Sequence, residues 1–237
     1  MPKGTSGIKR GSKSGKAQST VNIPQAKTIV EANQLAVSLG LARHADFTGL
    51  DVSVANEMIA QIKASKDLIP DLPYLEIIGD TAFVRFHLSS SYISGDANAS
   101  FMEVKGGSRN GQIGIGVNSR YFSQSNMQKQ LQELIDDVAS MWSPAGTGTV
   151  KGVIDHEIGH WIDHRYNISQ DRGIRRLFRT YHEKGSDKKM GSALSRYANK
   201  NAKEFVAEAW REYRNNPTPR PVAKEVGDII MSYVRGN

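Results

Sequence analysis

Apolar residues recur at helical intervals in two segments of the first third of the chain, residues 24–40 and 51–68. Both segments are therefore predicted to form helices. Gly40 would end the first helix, and Asp51 or Ser53 would cap the second one through a side-chain oxygen.

Short runs that are rich in β-branched and aromatic residues follow these helices, and such runs are typical of strands. They cover residues 74–79, 81–88, 100–105 and 111–122. In the last run, alternation would put Ile113, Ile115 and Val117 on one face of a sheet and Gly114 and Gly116 on the other.

Helical spacing returns over residues 125–142, and it continues from Val150 almost to the end of the chain. Helices, then a small sheet, then more helices predict an α+β fold, with N-terminal helices, a small mixed sheet and a mostly helical C-terminal lobe. We expect one domain over residues 21–237, with lobes at about 21–147 and 148–237.

The first 20 residues differ from the rest of the chain in charge. They hold five basic residues and no acidic one, so they supply five of the seven net positive charges and leave 7 − 5 = 2 for the remainder. We expect a disordered basic tail that could contact a polyanion weakly. The tail lacks the apolar stretch of a secretory signal, and no apolar run approaches the ~20 residues of a membrane span, so we expect no membrane partner.

The sequence DHEIGHWIDH at residues 155–164 contains the pattern His156-Glu157-x-x-His160. Residues four apart in a helix lie on the same face, so both imidazoles could bind one ion, with Glu157 near a water on that ion. This spacing is typical of zinc hydrolases. The alternative is an amphipathic surface helix with exposed histidines. Because the chain has no cysteine, thiolate ligands and disulfides are excluded.

The apolar residues around this motif favour a buried helix. Ile154, Ile158 and Trp161 lie among the polar positions, and a buried imidazole or carboxylate needs a partner such as a metal ion. Gly159 lowers helix propensity by about 1 kcal/mol relative to Ala, which is acceptable if another element packs closely against it.

A catalytic zinc needs a third protein ligand and an open position for water. A longer continuous motif would require Gly at position 163 and His at position 166, where the chain has Asp163 and Tyr166. His164 lies on about the same face as His160, but one helix rarely supplies three ligands in a row. We therefore expect a supporting or surface role for His164.

Glu204 and Glu208 are better candidates. They lie four apart in the apolar segment NAKEFVAEAWREY, so a helix would bury both carboxylates on one face, which is costly unless a cation or a proton compensates their charge. One carboxylate would bind the zinc, and the other would accept the free N–H of a ligand histidine. The alternative is a solvated helix face on which Glu208 pairs with Arg211.

The segments DHEIGH and LSRYANKNAKEFVAEAW resemble the gluzincin zinc metallopeptidases of the anthrax lethal factor type, whose relatives accompany phage head proteins and polymorphic toxins. Besides the helix motif, the resemblance rests on residues 204–210, on Tyr197 seven residues before Glu204, and on the gap of 204 − 160 = 44 residues after the second histidine. It covers residues 148–215, about a third of the chain. One departure is Val206, where lethal factor has an aromatic residue.

The resemblance implies a zincin-like fold and a zinc site that hydrolyses peptide bonds. The zinc ligands would be His156, His160 and Glu204. Glu157 would be the general base, Tyr197 would stabilise the oxyanion, and Glu208 would orient His156. A tyrosine buried in the core, with its hydroxyl satisfied there, is the alternative for Tyr197.

In this fold class the peptide or protein substrate binds as an added strand at a sheet edge. Gly114, Ile115 and Gly116 are the candidate edge, because glycines let another backbone come close. A glycine-rich strand inside the sheet is the alternative.

Two other functions stay open. The zinc site could stabilise a phage virion or head-associated protein, or a toxin, with little turnover, although a structural site has no use for the base Glu157. Alternatively, the basic residues at 172–189 and the tail could make the chain a nucleic-acid-binding accessory protein, or attract an acidic protein substrate. We expect a location in the cytoplasm of a host cell or in a virion.

Overall fold

The computed structural model describes residues 23–89 and 96–236. The predicted basic tail, residues 1–20, lies outside the described residues. The N-terminal part contains helices α1 (Ile29–Ser38), α2 (Val52–Leu68), α3 (Thr81–Leu88), α4 (Ser119–Phe122) and α5 (Met127–Ala139). Its strands are β1 (Ala42–Asp46), β2 (Leu75–Asp80), β3 (Ala99–Glu103) and β4 (Ile113–Val117).

The C-terminal part consists mainly of helices joined by short turns and loops, in the residues that the structure describes. Its helices are α6 (Val150–Tyr166), α7 (Arg172–Tyr181), α8 (Lys188–Ala193), α9 (Ala202–Asn215) and α10 (Pro221–Val234), with 3₁₀ turns at Ile168–Gln170 and Tyr197–Asn199. The predicted α+β class, with N-terminal helices, a small mixed sheet and a helical C-terminal part, is confirmed. None of the described helices combines the length and the apolar character that crossing a bilayer requires.

The four strands form one sheet in the order β1-β2-β4-β3. β1 pairs parallel with β2 and β2 pairs parallel with β4, whereas β3 pairs antiparallel with β4. Among the described residues no further strand pairs with β1 or β3, so these two strands are the free edges of the sheet. The main hydrophobic core lies between the sheet and the helices and includes Trp161, Trp210 and Phe205.

The prediction of a strand at residues 81–88 is wrong, because these residues form α3. The Asp80 carboxylate caps this helix by accepting the N–H of Ala82 at 2.9 Å. Val84 and Leu88, one turn apart, then pack against Ile77 in a small second core. The β-branched and aromatic composition suggested a strand, but the cap and the i, i+4 spacing of the buried side chains decide the outcome.

The prediction that Gly114, Ile115 and Gly116 form the substrate-binding edge is also wrong, because β4 lies inside the sheet between β2 and β3. The glycines serve helix packing instead. A Cβ on Gly114 would lie 2.9 Å from a methyl group of Val84, and one on Gly116 would lie 2.8 Å from the Cα of Thr81. Both contacts are with α3, so the glycines allow α3 to lie directly on the strand.

A further strand, β1, was not predicted from the sequence. Its five residues are ARHAD, and only Ala42 is buried, so the segment lacks the apolar alternation of a typical strand. Its place at the edge explains the polar composition, since no strand in the described part of the chain pairs with one side of β1.

Candidate metal centre

Helix α6 carries the motif through the centre of the C-terminal part. Thr149 caps its start, with the Thr149 hydroxyl accepting the N–H of Gly152 at 3.0 Å. The helix is buried on nearly all sides, as its apolar pattern predicts. A Cβ on Gly159 would lie 2.6 Å from the Cα of Ala207, so glycine allows α6 and α9 to pack backbone to backbone, which meets the condition under which a glycine here is acceptable.

Helix α9 brings the two glutamates to the motif. Asn201 caps this helix by accepting the N–H groups of Lys203 and Glu204. Glu204 therefore lies in the first turn, where the positive end of the helix dipole stabilises a carboxylate. Glu208 follows one turn later and is almost fully buried.

Three donor atoms converge between α6 and α9. The Nε2 atoms of His156 and His160 lie 3.2 and 3.1 Å from the same Oε2 atom of Glu204, and 3.2 Å from each other. A tetrahedral zinc with bonds of about 2.0–2.1 Å separates its donors by about 3.4 Å. The triangle is therefore of nearly the size that one metal ion requires, and these three residues could hold such an ion.

The electrostatics of the cluster favour a cation. Burial alone would lower the pKa of His156, but hydrogen bonds to Glu204 and Glu208 and the charges of Glu208 and Glu157 outweigh burial and raise this pKa to about 10. Burial likewise raises the pKa of Glu204, and the hydrogen bonds and charges of His156 and His160 reverse that effect and hold the pKa well below its usual range. Two imidazoles beside ionised carboxylates are a donor set that suits a divalent transition metal.

His156 is oriented from behind by Glu208. The Nδ1–H of His156 donates to Oε1 of Glu208 at 2.7 Å, so Nε2 faces the donor triangle, where a bound metal ion would take the place of the Nε2 proton. Oε2 of Glu208 accepts the Ser195 hydroxyl at 2.7 Å, and the buried Arg211 guanidinium lies 3.3 Å from Oε1. Because the carboxylate, the guanidinium and the hydroxyl are all buried, the guanidinium and the hydroxyl both rely on the carboxylate as an acceptor, and losing it leaves both without that hydrogen bond.

Replacing Glu208 by Ala should strongly destabilise the protein, because it leaves Arg211 buried without its carboxylate and His156 without its hydrogen-bond acceptor. We expect a loss of about 3–5 kcal/mol in the free energy of unfolding. Chemical denaturation of the variant measures it, with Glu225→Ala on the exposed face of α10 as the control. An unfolding free energy equal to that of the control would contradict the role assigned to Glu208.

Glu157 lies at the junction of α6 and the sheet. Its Oε2 accepts the backbone N–H of Phe101 in β3 at 2.6 Å. The N–H of Phe101 points away from β4, because in an antiparallel pair only every second residue of β3 forms hydrogen bonds with β4. Glu157 therefore connects the motif helix to the free edge of the sheet, although sequence reasoning placed that edge at β4.

Tyr197 lies on the other side of His156, with the two rings 5.8 Å apart. Its hydroxyl accepts a hydrogen bond from Nζ of Lys200 at 3.2 Å, and its ring packs against Trp142. Burial first, and then the charge of Glu204, raise the pKa of Tyr197 despite Lys200. The hydroxyl therefore stays protonated at neutral pH and can donate a hydrogen bond.

Several residues of this centre were not predicted from the sequence. They are Phe101, Trp142, Ser195 and Lys200. Of these, only Lys200 could have been predicted from the local sequence, because it lies four residues before Glu204 on the chain. In the structure its Nζ is 3.6 Å from the Glu204 carboxylate. His164 lies outside the donor triangle, with its Nδ1 3.6 Å from Glu103 of β3.

Two cavities adjoin the donor triangle. The first has a volume of about 900 Å³ and is bordered by His160 and Glu204. The second has about 280 Å³ and is bordered by His156 and Tyr197. Residues of β3 border both cavities, so both cavities lie along this free edge of the sheet.

Comparisons with protein-family models, curated proteins and solved structures found no match for this chain.

Proposed function

We propose that the chain is a zinc-dependent metallopeptidase with a zincin-like catalytic domain, as its resemblance to gluzincins implies. The observation that carries the proposal is the convergence of His156, His160 and Glu204 on one point, with Glu157 beside them. The buried carboxylate of Glu208 behind His156 adds the support that zinc-binding histidines usually have. A bound zinc ion would act as a Lewis acid that lowers the pKa of a coordinated water towards ~7 and polarises a carbonyl group.

The residues around the ligands have the groups that peptide hydrolysis needs. Glu157 would accept a proton from the attacking water and pass it to the leaving nitrogen. The Tyr197 hydroxyl would donate a hydrogen bond to the oxyanion that develops on the substrate. Lys200 holds that hydroxyl in place and adds positive charge on the same side.

The substrate would be a peptide or protein segment in extended form. The free edge beside Glu157 is β3, which replaces β4 as the candidate binding strand. Its outward backbone groups belong to Ala99, Phe101 and Glu103, as the alternation of the ladder requires, and of these the Phe101 N–H already donates to Glu157. An added strand on this edge would run through both cavities and pass the donor triangle.

A structural role for the zinc in a phage particle or a toxin would use the same three ligands. Glu157 and Tyr197 would then have no catalytic task, and their side chains would matter only for packing. Zinc binding by wild-type protein cannot separate the two functions, whereas peptide cleavage can.

Polyanion binding is a second candidate function, and helix α7 favours it. Arg172, Arg175, Arg176 and Arg179 lie on the surface of the helix, and their i, i+3, i+4, i+7 spacing puts them on one face. Within the described part of the chain, none of the four pairs with a carboxylate. The stripe is about 10 Å long, which is enough to meet several phosphates of one nucleic-acid strand.

Changing these four arginines to Gln should weaken retention on DNA and reduce its dependence on salt. For every phosphate that the protein no longer neutralises, the slope of log affinity against log salt should become shallower by about 0.9. Binding is measured at two salt concentrations for the full chain, the arginine variant and a chain without residues 1–20.

The control replaces two exposed lysines, Lys129 and Lys224, each of which is paired with an acid on its own helix. A decrease in retention that occurs only in the truncated chain would assign DNA binding to the tail. Retention unchanged in every variant would exclude nucleic-acid binding by both basic segments.

A further inference from the structure

We propose that His44, Glu76 and His87 form a second metal site, which binds a divalent transition-metal ion such as zinc. The three residues come from three different elements, β1, β2 and α3. Their donor atoms all lie within 4.8 Å of one another. This site is independent of the proposed peptidase function and shares no residue with it.

The Nε2 atoms of both histidines face the same oxygen atom of Glu76. Nε2 of His44 lies 3.7 Å, and Nε2 of His87 lies 3.8 Å, from Oε1 of Glu76. The two imidazole rings are 4.7 Å apart and inclined at 48°, so they approach the carboxylate from different directions. Two imidazoles and one carboxylate form a donor set that zinc and its neighbours in the first transition series accept.

The spacing of the donors predicts a weaker site than the centre between α6 and α9. Donors around a tetrahedral zinc are about 3.4 Å apart, so each histidine nitrogen must move a few tenths of an ångström towards Glu76. The two nitrogens, which lie within 4.8 Å of each other, must come to a similar separation. The side chains allow this movement, since those of His44 and His87 are 49% and 27% exposed. We therefore expect zinc to exchange from this site during dialysis.

The positive charge of Arg43 beside Glu76 affects how strongly this carboxylate would bind a metal ion. Nε of Arg43 lies 3.6 Å from Oε2, the oxygen that does not face the histidines. A metal ion on Oε1 would share the carboxylate with this guanidinium, which further weakens binding. The Arg43 side chain is 65% exposed, so solvent screens much of this repulsion.

The position of the site separates it from the first centre. β1 and β3 are the opposite edges of the sheet, and three spacings of about 4.8 Å put the two edges about 14 Å apart. His44 and His87 also border a surface groove of about 620 Å³ that is lined by Val37 of α1 and Phe83 of α3. An ion here would have open coordination positions facing that groove.

The test is a zinc titration of the full chain after removal of metal with a chelator. Equilibrium dialysis and elemental analysis give the number of zinc ions bound, and NMR signals of the histidine rings report which histidines respond. The variants are His44→Gln and His87→Gln. His182→Gln is the control, because His182 is also exposed but makes its hydrogen bonds to Asn199. His44→Gln changes an exposed edge position, so it should leave the fold intact.

We expect the full chain to bind two zinc ions, with the second equivalent shifting the ring signals of His44 and His87. Each Gln variant at these positions should lose the weaker equivalent, and the His182 variant should keep both. The proposal is overturned if the Gln variants bind as much zinc as the full chain. One zinc that disappears with His44→Gln but persists in His160→Ala would support this site and refute the metal centre of the proposed peptidase.

Discussion

The Glu157→Gln variant should keep its zinc and lose nearly all peptidase activity. Gln has the size of Glu and still offers a carbonyl oxygen to the N–H of Phe101, so the contact between α6 and β3 survives. What disappears is the proposed general base, the carboxylate that would accept the proton of an attacking water. We expect the turnover rate to fall by roughly 10²–10⁴-fold. Steady-state hydrolysis of a cleaved peptide, with zinc content measured on the same samples, checks this.

The matched control for this variant is Glu183→Gln, which removes one carboxylate from an exposed turn after α7. It should hydrolyse the peptide at the wild-type rate. Wild-type turnover in Glu157→Gln would show that another group accepts the proton, and would remove the general-base role from Glu157.

The second large effect is expected from the ligands themselves. His160→Ala and Glu204→Ala each remove one corner of the donor triangle, so neither variant should retain zinc at this centre through dialysis. Peptide hydrolysis should fall to the background rate in both, because the metal and its activated water disappear together. Zinc content after exhaustive dialysis, measured beside activity, tests the assignment.

His164→Ala is the informative control for ligand identity. His164 lies on the same helix, one turn after His160, and faces Glu103 outside the triangle. This variant should keep its zinc. If His164→Ala released its zinc and Glu204→Ala retained it, the roles of the two residues would be exchanged.

The residues of the candidate centre could be predicted because their spacing within each helix carries the geometry. His156 and His160 share a face of α6, and Glu204 and Glu208 share a face of α9, through the same four-residue interval. Gly159 gave a further signal, since a glycine in a buried helix predicts close packing. The spacing within each helix does not predict that the two helices meet. That prediction rests on the paired charges and on the resemblance, and the structure brings the four side chains together.

The arrangement of the sheet could not be predicted in the same way. Strand order depends on contacts between segments far apart in the sequence, and nothing local in GQIGIGV distinguishes an edge strand from an interior one. The glycines of β4 suggested space for a substrate backbone, whereas α3 fills that space. The same limit applies to Phe101, whose backbone N–H meets Glu157 across 56 positions of sequence.

Local composition misled in two places for a related reason. TAFVRFHL has the residues of a strand, but the Asp80 cap and the buried pair Val84 and Leu88 make it a helix. ARHAD has the residues of a loop, but pairing with β2 makes it a strand. In both segments tertiary packing overrides propensity, which is a weak preference of well under 1 kcal/mol per residue.

The most direct test of the proposed function is digestion of a broad peptide library by the full chain loaded with zinc. Parallel samples contain the chain after chelation, the chelated chain with zinc restored, and Glu157→Gln loaded with zinc. The proposal predicts cleavage by the loaded and the restored chain, and none above background by the other two. No cleavage by the loaded chain, or equal cleavage by Glu157→Gln, would contradict it.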